Sequence, residues 1–352
     1  MSKLDGIIEN VMIEAWAERF RRSPGQANAL HESDSELVEL PGDDERYLAV
    51  TVDTVHEEIA QGLYRDPGTM GWVCAVASLS DLAAVGATPL GLLVSVTLPD
   101  DADGALARGI ADGVEQACRE HGTYVLGGDT NTADSISLTG CAVGLVPRDG
   151  ALERTGMFPG DSVFLSGRVG SGNALGMARM GGFPEDAFPE QSYRPTAELA
   201  FGELLRDHAT ACMDTSDGVC ATLDQLMRLN GLGFNVDCDW SRLLAPEVLE
   251  FCDRTETPRW LMAAGPHGEF RLLFTVHASA IAGFMEAANH AGVAPVSLGT
   301  VQPKPAVTLS LTSGEAVDVD MARLRNLLQQ TGGDMERYVS EFRRAGQEWG
   351  LE

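Results

Sequence analysis

At 352 residues, 44% apolar and 22% charged, the chain has the composition of a globular protein with material for two ordinary cores. Its formal net charge of -27 excludes nucleic acid and anionic membrane surfaces as partners, and any phosphate ligand would need bound cations to screen it. The seven cysteines are scattered and none forms C-x-x-C, so they read as small buried hydrophobes of a cytoplasmic protein rather than as a disulfide frame or zinc site.

Residues 1–20 predict an amphipathic helix, with Ile8, Met12, Trp16 and Phe20 at i, i+4 spacing, and not a secretory leader. No run is apolar for long enough to span a bilayer. Strand and helix signals then alternate: a strand over 47–52, a helix over 68–86 ended by glycine with Pro89 beyond, and a β-branched strand over 91–98. A helix over 102–120 and strands over 124–126 and 136–146 complete a first α/β unit, 1–147. Paired D-G, T-G and P-G steps over 148–160 mark a junction. A second α/β unit, 148–352, follows. It has strands over 162–165, 211–213, 270–276 and 293–299, helices over 174–180, 218–229 and 280–291, and a helical tail over 322–330 and 335–347. The Pro/Gly-rich stretch 181–195 reads as a mobile lid. The fold class is therefore α/β (α+β) with two domains.

Aspartates recur where strand-like runs end: Pro41-Gly42-Asp43-Asp44, Thr51-Val52-Asp53-Thr54, Gly127-Gly128-Asp129-Thr130 and Met213-Asp214-Thr215-Ser216-Asp217-Gly218, with Asp81 in the small-residue segment 78–89. Singly, Asp81 and Asp217 read as helix caps. As a set, the carboxylates suit Mg²⁺, which takes octahedral oxygen ligation shared between a few carboxylates, waters and substrate phosphates. Paired glycines at Gly127-Gly128 would let the backbone approach a phosphate closely. A Gly170-x-Gly172-x-x-x-Gly176 run hints weakly at a dinucleotide loop, with the last spacing one residue too long, and there is no P-loop motif. Ser216 has no histidine placed to activate it, so nucleophilic catalysis finds little support.

These blocks resemble the superfamily of aminoimidazole ribonucleotide synthetase, hydrogenase-maturation and selenophosphate-synthesis proteins, and within it the thiamine-monophosphate kinase family. The resemblance runs in order over about residues 35–310. It is carried by P-G-D-D, T-V-D-T, C-A-V-A-S-L-S-D-L-A-A-V-G-A-T-P (74–89), T-L-P (97–99), G-G-D-T, R-T-G-M-F-P-G-D (154–161), M-D-T-S-D-G and E-F-R-L-L-F-T-V (269–276). It implies an amino-terminal domain that forms a β-barrel across a homodimer, a carboxy-terminal α/β domain, and ATP between them. It further implies Mg²⁺ held by Asp44, Thr51, Asp53, Asp81, Asp129, Asp214 and Asp217, and nucleotide contacts from Gly128, Asp129, Arg154 and Ser216.

The implied reaction is phosphoryl transfer from ATP to a small phosphate acceptor, thiamine phosphate in this family, with no catalytic base. On the acceptor side the chain departs from the family pattern. The family's histidine after the T-D-T turn is represented only by the early His56, and the family's G-G-E-D-Y-E-L appears as A-G-P-H-G-E-F-R-L, leaving Glu269. His56 and Glu269 are the candidate acceptor contacts. The alternatives are a paralogous kinase or ATP-dependent cyclase or ligase acting on another metabolite, and a non-catalytic nucleotide-binding protein.

Overall fold

The computed structural model describes residues 4, 6–184, 186–311 and 314–351. In chain order the first part runs α1 (Ile8–Ala17), β1 (Glu36–Leu40), β2 (Asp43–Val55), α2 (Glu57–Ala60), α3 (Pro67–Ala84), β3 (Thr88–Leu98), α4 (Gly104–Glu120), β4 (Val125–Thr132) and β5 (Ser137–Pro147). The rest runs β6 (Ser162–Leu165), α5 (Ser171–Met180), α6 (Leu199–Leu205), β7 (Ala209–Asp214), α7 (Val219–Asn230), β8 (Gly233–Asp237), α8 (Trp240–Leu243), α9 (Pro246–Thr255) and α10 (Arg259–Ala264). It closes with β9 (Leu272–Val276), α11 (Ile281–His290), β10 (Val296–Gln302), β11 (Val307–Ser310), β12 (Ala316–Val319), α12 (Met321–Gln330) and α13 (Met335–Glu348).

The expected mixed α/β class is observed as two sheets. A five-stranded sheet has the order β1-β2-β5-β3-β4, and a seven-stranded sheet the order β12-β11-β8-β10-β6-β9-β7. The smaller sheet is antiparallel except where β3 runs parallel to β4, and its edges β1 and β4 do not pair with each other, so within one chain it is an open sheet and not a barrel. No helix among the described residues is long and apolar enough to cross a membrane.

Helix α3 sits at the centre. Asp66 caps it by accepting from the Thr69 amide at 2.8 Å, and Pro67 occupies its first turn. Its residues are small or apolar on nearly every side, which suits a helix enclosed all round. The enclosure is close. A Cβ on Gly113 of α4 would lie 2.0 Å from the Gly68 carbonyl, one on Gly140 of β5 would lie 2.5 Å from Ser78 Oγ, and one on Gly202 of α6 would lie 2.1 Å from the Ala83 carbonyl. Glycine at these crossings lets α3 pack between the small sheet and the second half of the chain. That packing sets Asp81 facing both.

Four local expectations change. The P-G-D-D run is the hairpin turn from β1 into β2, with Gly42 at φ 86 and the Asp43 carboxylate accepting from the Glu45 and Arg46 amides. Gly127-Gly128-Asp129 is no turn but the middle of edge strand β4, and Gly128 is there because a Cβ would lie 1.9 Å from the Val94 carbonyl. The expected lid 181–195 is tied down at its far end, from Glu190 to Pro195. Buried Glu190 accepts from the Arg65 and Asp66 amides and pairs with Arg179 at 2.7 Å, and Trp72 Nε1 donates to the Pro195 carbonyl at 2.8 Å. Helix α1 docks by its polar side, Asn10 donating to Gln225 at 3.0 Å, so that Ile8, Met12 and Trp16 of the expected stripe, and Phe20 beyond the helix end, face outward.

Candidate functional site

Asp81 lies near the carboxy-terminal end of α3 and Asp214 at the last position of β7, so neither caps a helix start. With Asp34, from the loop before β1, they bring carboxylate oxygens within 4.8 Å of one another. Around them stand Thr51 and Asp53 of β2, Ser80 of α3, Ser216 after β7, and Arg154 from the connection between β5 and β6. Thr51 Oγ1 donates to Asp81 Oδ2. Ser80 Oγ donates to Asp214 Oδ2 at 2.7 Å, and the Ser216 amide and hydroxyl donate to Asp214 Oδ1 at 3.3 and 3.1 Å. Arg154 Nη2 donates to Asp34 Oδ1 at 2.7 Å.

Loss of water is the main force on these groups. It pushes the Asp214 carboxyl up to about 7, with the Asp34 charge adding to it, and the Asp53 carboxyl up to about 6, with Asp217 and Asp34 adding. Asp81 is held well above the usual carboxylate range by the same desolvation and by Asp53, Asp214 and Asp34. Arg154 alone does not balance this charge. Two buried oxygens, Asp34 Oδ2 and Asp53 Oδ2, have no hydrogen-bond partner among the described residues. Unpartnered oxygen in an all-oxygen donor set fits hard divalent cations.

Among the expected ligands, the structure gathers Thr51, Asp53, Asp81 and Asp214. Asp217 stands at the edge, on the wall of a cavity of about 140 Å³ that Glu9, Cys220, Leu324 and Arg325 also line. Asp44 is not brought in: it is exposed, seven residues before Thr51 on an extended strand, about 23 Å away. Its expected place is taken by Asp34, whose side chain is 1% exposed. Asp129 is not brought in either. The register Asp53↔Gly140↔Val94↔Gly128 puts Gly128 on the face of Asp53, so the next residue points to the opposite, open face, about 14 Å away across three strand spacings.

Of the expected nucleotide contacts, Arg154 and Ser216 are in the cluster, and Gly128 serves strand packing. Both acceptor candidates spend one side-chain atom on the chain's own backbone. His56 Nδ1 lies 2.9 Å from the Ile136 carbonyl, and buried Glu269 accepts from the Gly170 and Gly172 amides at 2.7 and 2.8 Å. That last pair also disposes of the dinucleotide loop, since the chain's own carboxylate fills the glycine turn. Sequence reasoning missed Asp34 and Ser80. Their only signals were an S-D-S step just ahead of an E-L-V-E-L alternation and the residue next to Asp81.

A five-stranded and a seven-stranded sheet flank a buried carboxylate cluster, and known proteins share both halves of that frame. The family description "AIR synthase related protein, N-terminal domain" matches residues 32–146, the stretch that supplies Asp34, Thr51, Asp53 and Asp81. The thiamine-monophosphate kinase of Salmonella typhimurium is 30% identical over 275 residues, 75% of this chain and 81% of that protein. The chain belongs to the thiamine-monophosphate kinase family. Among solved structures, that of AaThiL complexed with AMPPCP and TMP superposes with a TM-score of 0.72 at 24% identity, over 88% of this chain and 94% of that one. The hydrogenase maturation protein HypE of E. coli gives 0.67 at 20%, over 89% and 97%, and shares the fold.

Proposed function

We propose that the protein is an ATP-dependent kinase that converts thiamine phosphate and ATP into thiamine diphosphate and ADP. The observation that carries this reading is the convergence of Asp34, Asp81 and Asp214, with unpartnered carboxylate oxygens beside a buried arginine. Asp34, Asp53, Asp81 and Asp214 would hold Mg²⁺ ions, with Thr51 and Asp217 at the margin. When bound, the ions supply charge neutralisation for the phosphates. Arg154 is placed to contact a phosphate from the opposite side, and Ser80 and Ser216 fix the Asp214 carboxylate in orientation.

In the transfer, an oxygen of the acceptor phosphate forms a bond to the γ-phosphorus of ATP as the bond to the β-phosphate oxygen breaks, releasing ADP. The acceptor is already an oxyanion, so no proton must be removed, and the chain's contribution is positioning and electrostatics.

Residues 1–147 would supply most cation ligands and 148–352 would close the nucleotide cleft. The small sheet's open face would pair with a second copy, two five-stranded sheets closing into one barrel, in a cytoplasmic homodimer. A second reading is a kinase for another small phosphorylated metabolite. It is favoured by His56 and Glu269, both of which are engaged with the chain's own backbone.

The test is to supply MgATP with thiamine phosphate, and separately with a panel of other phosphorylated metabolites, and to measure ADP and the diphosphate product. Thiamine diphosphate supports the first reading, and turnover only with another acceptor supports the second. In either case Asp81→Asn should abolish turnover without altering the circular-dichroism spectrum, and full activity in that variant overturns the assignment of the cluster.

A further inference from the structure

We propose that His31 is a phosphate-positioning residue of this site, presenting its imidazole beside Arg154 to a phosphate oxygen of the bound nucleotide. The inference rests on the phosphotransferase reading above.

Three observations carry it. First, His31 has a left-handed backbone, φ 65, one of only three non-glycine residues with positive φ among the described residues. A side chain with a Cβ is disfavoured there, and such strain persists where surrounding structure imposes it, often at ligand sites. Second, one ring nitrogen goes unmet by the chain. His31 Nε2 is buried without a hydrogen-bond partner, and so is Arg154 Nε. Third, these two nitrogens belong to neighbouring segments. The Arg154 amide donates to the Glu32 carbonyl at 2.7 Å, and Asp34, three residues beyond His31, receives the Arg154 guanidinium.

The unmet needs on the two sides of this point are opposite. Asp34 Oδ2 and Asp53 Oδ2 lack a cation or donor, whereas Arg154 Nε lacks an acceptor and His31 Nε2, which in one tautomer is a donor, lacks any partner. A metal-bound phosphate satisfies both, with its cation toward the carboxylates and a free oxygen toward the nitrogens. Burial and the Arg154 charge hold the His31 ring below its usual range, while Glu14 of α1 pulls the other way. A neutral ring in its Nε2–H tautomer would donate beside the charge that Arg154 supplies.

The experiment measures ATP KM, kcat and Tm for His31→Gly and His31→Asn, together with calorimetric titration of the MgATP β,γ-methylene analogue. Glycine relieves the backbone and deletes the ring. Asparagine tolerates the left-handed conformation and keeps an amide donor. The expected result for His31→Gly is an unchanged or raised Tm with ATP KM up about tenfold and acceptor KM unchanged, and for His31→Asn a partial return. An ATP KM for His31→Gly within about twofold of the native value overturns the proposal, and a fall in Tm without that KM change makes His31 a packing residue under α1. A native protein that binds no MgATP overturns the phosphotransferase reading itself, a failure visible before any variant is made.

Discussion

Asp34 and Asp44 lie ten positions apart, one just ahead of β1 and the other at the start of β2. What separates them is their surroundings. Asp44 is in water beside a hairpin turn, whereas Asp34 is enclosed against Arg154, Asp81 and Asp214. On the proposed reading, removing one charge from a set that jointly holds cations and phosphate costs transition-state stabilisation, and removing a solvated charge at a hairpin does not. Asp34→Asn should therefore lower kcat/KM by about 10²-fold or more, and Asp44→Asn should leave it within error, as read by ADP release. The reverse ranking would restore Asp44 to the site.

The same carboxylates give the cluster a pH signature. Asp53 and Asp214 titrate near 6 and near 7 in the folded protein, above the ordinary value of 3.8, so between these limits the folded chain holds protons that the unfolded chain releases. In the metal-free protein their contribution to stability is present in acid and is lost as pH rises through about 4 to 7. Buried His267 works in the opposite direction. Its folded value of about 4 against 6.5 means that its contribution is lost as pH falls from 6.5 toward 4. A divalent cation competes with the cluster's protons only, so the gain in Tm on adding Mg²⁺ should be larger at pH 8 than at pH 5.5. A thermal-shift titration at both pH values checks this, and an equal gain at both would place the cation elsewhere.

At the scale of elements, the legible parts were those where local pattern and tertiary role agree. The strand into Thr51-Val52-Asp53, helix α3 with its glycine stop, and strand β7 into Asp214 all carry apolar runs that the core needs, and residues near their ends are in the cluster. Asp34 was not legible because its segment is held by side-chain bonds rather than by a regular element. Asn28 Nδ2 donates to Ser33 Oγ at 2.9 Å, Leu37 N donates to Asn28 Oδ1 at 2.9 Å, and Arg154 is 120 residues away in sequence. The glycine pair before Asp129 misled because a glycine in an edge strand and one in a phosphate turn look alike in sequence. Only the closeness of the Val94 carbonyl tells them apart. Short strands such as β8 and β12, with polar residues on alternate positions, exist through pairing with neighbours and give little signal of their own.

At the scale of the whole molecule, the smaller sheet has a covered face and an uncovered one. Asp53, Gly140 and Val94 face α3, while Val52 and Leu93, joined through Cys141 in register, face outward at 65% and 41% exposure. Edge strand β4 adds exposed Leu126, which lies over Gly91. An antiparallel sheet leaves one face to water when that face is polar; an apolar open face beside an unpaired edge calls for a cover. With a net charge of -27 on each copy, association through this face has to overcome repulsion, so it should strengthen as salt rises. Light scattering coupled to gel filtration should show a dimer, and Leu93→Asp should shift it to monomer. The carboxylate cluster is assembled within one chain, from Asp34, Asp53, Asp81 and Asp214, so on the proposed reading the Leu93→Asp monomer should keep its Mg²⁺-dependent rise in Tm. If that rise disappears with the dimer, the site is completed across the interface, and Asp129 on the same open face becomes the first residue to test.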